Sequence, residues 1–193
     1  MLRKKQRGTL YIVLTINIIM FIVIVTAAWL GDSSALMADS LDNFGDALTY
    51  GLSLYAVSRG TAVKARVAIF KGILIILAAT VVAGRIMYRF YFPTVPVFEL
   101  MGLFSLLGLA ANGVCLSLLW RHRKEDINMS SVWECSRNDI ASNLAVFIAA
   151  AGIWMTGTYW PDVIVATGLV VLLLRSGVNV IKSAMQELRD VTD

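Results

Sequence analysis

Ser34-Ala35-Leu36-Met37-Ala38-Asp39-Ser40-Leu41-Asp42-Asn43-Phe44-Gly45-Asp46 sets three carboxylates inside an otherwise apolar run. Asp39 and Asp42 are three residues apart and Asp42 and Asp46 four, so a helix brings all three to one face. Leu48, Leu52 and Leu54 continue the apolar run beyond them. If the stretch crosses a bilayer, each carboxylate near its centre costs at least ~2.5 kcal/mol. A stripe of three implies a cation or a water-filled path against that face.

The rest of the chain makes the bilayer reading firm. Across 193 residues, 58% are hydrophobic, mean hydropathy is +0.74, and charges fall in short clusters between long apolar runs. Water-soluble domains interleave the two, so a soluble fold is excluded. The net charge of +4 is then loop charge that sets orientation, not a nucleic-acid surface. The first apolar run is too long for a cleavable signal and lacks a small-residue cleavage site. Cys115 and Cys135 are the only cysteines, which predicts reduced thiols and no disulfide framework. His122, the single histidine, stands among basic residues, so no His-rich metal-capturing loop exists.

The expected fold is all-α: a polytopic membrane protein with six transmembrane helices, forming one transmembrane domain over residues 1–193. The predicted spans are 9–30, 33–58, 67–87, 98–120, 131–157 and 162–185, each long enough for a ~30 Å core at ~1.5 Å per residue. Arg3, Lys4, Lys5 and Arg7 precede the first span. Arg59, Lys64 and Arg66 lie in the second connection, Arg121, Arg123 and Lys124 in the fourth, and Lys182 and Arg189 near the end. The first and fifth connections have no Lys or Arg, and the third has only Arg85 and Arg89 at its start. The positive-inside rule therefore puts both termini in the cytoplasm, and Tyr88, Phe90, Tyr91, Phe92, Tyr159 and Trp160 in an outer aromatic belt. The plasma (inner) membrane of a bacterium is the expected location.

Depth links the second span to the fifth. Asp42 and Asp46 fall roughly 14–20 Å below the outer face, and Cys135 and Asp139 roughly 6–12 Å above the inner one. In a ~30 Å core these levels nearly coincide. Asp42 with Asp46 and Cys135 with Asp139 are each four apart, so two helices can close a tetrahedral site of four ligands. Mixed oxygen and sulfur ligands suit zinc and cadmium. Asp39, Asn43, Asn138 and Asn143 are candidates to support those ligands from behind, and if Cys135 only packs, Asn138 or Asn143 is the alternative fourth ligand. Other polar residues have plainer readings. Asn17 and Asn112 suit interhelical hydrogen bonds, Cys115 a core position, and Arg175 either a carboxylate partner or a side chain reaching for the inner face.

The second span, with Asp42 and Asp46, resembles the second transmembrane helix of the cation diffusion facilitator family. Cys135-Ser136-Arg137-Asn138-Asp139 resembles the metal motif of its fifth helix, with Cys135 where His or Asp is usual. Asn112, Asp162 and Leu174-Arg175-Ser176-Gly177-Val178 fit the family's fourth and sixth helices. The resemblance implies export of a divalent metal ion in exchange for protons by a homodimer. Members commonly carry a cytosolic domain after the sixth helix; this sequence ends where it would begin, which predicts a short form without it. The expected cargo is zinc or cadmium, then cobalt or ferrous iron, with no resident cofactor, no enzymatic activity and no nucleic-acid partner. Two other readings stand beside this one. A metal-binding membrane subunit that does not transport fits the same ligands. An intramembrane metalloenzyme would call for an open metal position and a His-rich motif such as HExxH, and the sequence has none.

Overall fold

In lipid a helix satisfies its own backbone hydrogen bonds, which is why long apolar runs adopt it. The computed structural model of the chain describes residues 4–56, 61–120 and 127–192, and every regular element in them is a helix. In order these are α1 (Lys4–Leu30), α2 (Ser34–Ala56), α3 (Thr61–Tyr91), α4 (Phe98–Trp120), α5 (Ile127–Thr156) and α6 (Trp160–Thr192). Within these helices, the side chains of residues 4–7, 53, 55–56, 61–62, 64, 127–136 and 190–192 lie outside the description. His122, Arg59 and the basic run Arg121, Arg123 and Lys124 also fall outside the described residues.

The helix ends follow from local chemistry. The Gly31 N–H closes the last turn of α1 on the Ala27 carbonyl at 2.7 Å. Asp32 then turns the chain in the left-handed region, at φ 48°. Ser33 caps α2, its hydroxyl oxygen accepting from the Leu36 N–H at 3.0 Å. At the far end of α5, Gly157 adopts φ 64° and donates to the Ile153 carbonyl at 2.8 Å, a glycine stop. Pro93 and Pro96 separate α3 from α4, and Pro161 sits in the first turn of α6, where its missing N–H costs nothing.

The predicted spans match these helices closely, with one informative difference. The third was expected to stop at Met87 with Arg89 in the following connection, but α3 runs to Tyr91 and carries Arg89 inside it, buried. The charge that reads as loop in the sequence is paired with Asp162 at the start of α6.

Packing places α2 at the centre, against α1, α3, α5 and α6. The contacts α1–α2, α2–α5, α5–α4 and α4–α1 close a ring of four helices, and α3 and α6 pair beside it. Small residues allow the close approaches. A Cβ on Gly108 of α4 would run into the Asn143 carboxamide of α5. A Cβ on Gly177 of α6 would lie 2.8 Å from the Ile76 Cγ1 atom of α3.

Polarity runs inside out relative to a soluble protein. Ile12, Ile19, Ile22, Leu77, Ile148 and Leu172 are exposed, while Asn17, Asp39, Asn43, Asn112, Asp139 and Asn143 are buried. Such an exterior suits lipid. Five helices are long and apolar enough to cross a membrane. The remaining one, α2, carries the aspartates and is sheathed by its neighbours, with Ala35, Leu36, Ala38, Asp39 and Ser40 all 0% exposed. The chain is a polytopic helical membrane protein.

Candidate metal centre

Spacing on α2 fixes what it presents. Asp39, Asp42 and Asp46 descend one side of the helix: Asp39 is fully buried, Asp42 part-buried and Asp46 9% exposed. Across from them α5 brings Asp139, 5% exposed, and Ser142, also buried, whose hydroxyl lies near the Asp42 carboxylate. The carboxylate of Asp139 is repelled by Asp46, Asp42 and Asp39, in that order of strength, so the acids of α2 and α5 share one electrostatic neighbourhood. Ion pairs between described residues form at Asp32 and Asp162, and none of these involves Asp39, Asp42 or Asp139.

Tyr50 holds the lower end of the stripe. One turn after Asp46, its hydroxyl donates to the Asp46 Oδ2 atom at 2.5 Å. Its ring is fully buried with Val13, Cys115 and Leu119. Cys115 is buried as expected, and lies close enough for the fields of Asp139 and Asp46 to reach it. On the α3 side, the Lys71 ammonium donates to the Thr49 hydroxyl, which itself donates to the Gly45 carbonyl at 2.7 Å.

The asparagines share one habit. Asn17, Asn43 and Asn143 each donate Nδ2 to the carbonyl four residues back, on Val13, Asp39 and Asp139. That turns the Oδ1 atoms of Asn17 and Asn143 into the bundle with no hydrogen-bond donor to meet them. Both oxygens of Asp39 and the Oδ2 atom of Asp139 are in the same position. The interior therefore holds a surplus of oxygen acceptors over donors. Cations or protons remedy such a surplus; apolar packing cannot.

Of the residues predicted from sequence, Asp42 and Asp46 of α2 lie within electrostatic reach of Asp139 of α5, and Asp39, Asn43 and Asn143 are buried on the same two helices. Asn138 lies on the exposed side of α5. Cys135 is on α5 one turn before Asp139, and its side chain lies outside the described residues. Among the described residues, no three His, Cys, Asp or Glu side chains are gathered tightly enough to hold one ion. The sequence reading passed over Tyr50 and Ser142. The four-residue step from Asp46 to Tyr50 was a usable signal, whereas Ser142 becomes a partner only once α5 is docked.

Residues 10–189 match the model of the cation efflux transmembrane domain. No curated protein matches the chain.

Proposed function

The chain belongs to the cation efflux family, whose members move metal cations across membranes, and from that premise we propose that it exports a divalent transition metal by exchange for protons. Zinc and cadmium are the preferred cargo, with cobalt and ferrous iron next. The metal is held by Asp42, Asp46, Asp139 and Cys135, between α2 and α5. One observation supports this above the rest: carboxylates of α2 and α5 lie within electrostatic reach of one another inside the bundle, with no ion pair between described residues at Asp42 or Asp139. A divalent cation offsets that repulsion when bound, and protons offset it when the metal has left.

The sign of the coupling follows from the ligands. Carboxylates and a thiolate bind metal only when deprotonated, so affinity rises with pH and falls as protons compete. Entry of protons from the outer side would release the metal there, with helices rocking about a fixed central site. Homodimers in the inner membrane of a bacterium, with both termini cytoplasmic, complete the reading.

Purified protein in proteoliposomes, loaded with a pH-sensitive dye, tests it. A zinc gradient should drive proton movement in the opposite direction, and Asp46→Asn should abolish both zinc and proton flux. Zinc binding without any flux would make the protein a metal-binding subunit instead. Zinc flux with no proton movement would remove the exchange.

A further inference from the structure

Tyr50 is the largest fully buried side chain among the described residues. A buried tyrosine carries a polar tip that must find a partner. Here the partner is the carboxylate of Asp46, one helical turn earlier, whose Oδ2 atom accepts from the hydroxyl at 2.5 Å. The ring is held on both sides. Leu10 and Val13 of α1 and Cys115 and Leu119 of α4 share its cluster, each 3% exposed or less, and Leu54 of α2 packs against it. Turning the ring away from Asp46 would open a cavity there. Phenylalanine would fill the same space; the hydroxyl adds the bond to Asp46.

That bond bears on what the carboxylate can offer a metal. A carboxylate can grip an ion with both oxygens, as calcium sites use it, or with one. The Tyr50 hydroxyl places a partially positive hydrogen on Oδ2, so a cation meets Asp46 at Oδ1. One atom from each of four residues makes a tetrahedral site, the geometry of zinc. Manganese, magnesium and calcium call for six or more oxygen ligands. We propose that Tyr50 is a positioning residue that sets metal selectivity: it holds Asp46 to one coordinating oxygen and so turns the site against ions that need six or more ligands. The proposal rests on reading Asp46 as a metal ligand. It is separate from the softness of a thiolate, which ranks ions by polarisability, whereas the phenol ranks them by coordination number.

Cobalt(II) reports its coordination number through visible absorption, intense with four ligands and weak with six. Bound to the chain in lipid nanodiscs, it should give the intense four-coordinate bands in the wild type. Tyr50→Phe keeps the ring and removes the hydroxyl. Its cobalt bands should weaken as a further oxygen joins, and its preference for zinc over manganese, by competition titration, should fall about tenfold or more. Leu10→Ala loosens the same cluster without touching the hydroxyl and should keep the wild-type preference. An equal fall in Leu10→Ala would reduce Tyr50 to packing and overturn the proposal. So would an unchanged preference in Tyr50→Phe. A wild-type spectrum of five or six ligands would overturn it too, a measurement that decides the matter even if the variants fail to fold. Zinc binding undisturbed by Asp46→Asn would overturn the metal centre on which the proposal stands, a result distinct from any change in selectivity.

Discussion

Three carboxylates alone offer a cation hard oxygen ligands, a set suited to manganese, magnesium or ferrous iron. The buried amide oxygens of Asn17 and Asn143 would harden the interior further. Cys135, one turn from Asp139 on α5, supplies the single soft donor in the proposed set, and a coordinating thiol gives up its proton. Metal preference therefore turns on that residue. Cys135→Ser keeps a small oxygen-bearing side chain and removes the sulfur, so it should weaken cadmium transport far more than manganese transport. Cys135→His should retain zinc transport, since imidazole is a good zinc ligand. Competitive uptake assays in proteoliposomes measure both. An unchanged cadmium-to-manganese ratio in the serine variant would take Cys135 out of the site.

Between elements, the α3–α6 pair depends on two glycines. An added Cβ on Gly72 would meet the Gly177 carbonyl oxygen at 3.0 Å, and one on Gly177 would meet the Ile76 side chain at 2.8 Å and the Gly72 carbonyl oxygen at 3.2 Å. Backbone cannot give way as a flexible side-chain end can. Gly177→Val should therefore cost about 1–3 kcal/mol, the usual range for overpacking. Gly84, on the same α3 helix, has open space around it, so Gly84→Ala should be neutral or stabilising. Thermal unfolding in detergent, followed by loss of the monodisperse peak, compares the two; equal melting would mean the pair does not rely on close approach. The helices themselves were legible in the sequence because hydropathy and the positions of Gly, Pro and Ser carry them. The α2 and α5 acids were legible because four-residue spacing survives any packing. The Arg89–Asp162 pair was not, since its partners are 73 residues apart and only the α3–α6 contact brings them together. Read locally, Arg89 is one more charge near the end of an apolar run.

At the scale of the whole molecule, an apolar exterior and an acid-lined interior constrain how the chain can sit in a bilayer, but not which way up. The two ends of the bundle differ in charge. One gathers the α1–α2 turn, the α3–α4 connection and the α5–α6 turn, where Asp32, Arg85, Arg89 and Asp162 neutralise one another. By sequence, the N-terminal segment carries Arg3, Lys4, Lys5 and Arg7, and the second and fourth connections carry Arg59, Lys64, Arg66, Arg121, Arg123 and Lys124, with Glu125 and Asp126 the only acids in those segments. Cytoplasmic loops hold the excess of Lys and Arg because translocating them is unfavourable, so the end with the termini should face the cytoplasm. Single cysteines at Gly8, Val95 and Thr158, in a background where Cys115 and Cys135 are alanine, place a probe at each end. All three positions are exposed. A membrane-impermeant maleimide added to intact cells should label the probes at Val95 and Thr158 and reach the one at Gly8 only after permeabilisation. Labelling at Gly8 in intact cells would invert the protein, and with it the direction of transport: the Arg89–Asp162 pair would then lie on the cytoplasmic side, and the same carboxylates would load metal from outside.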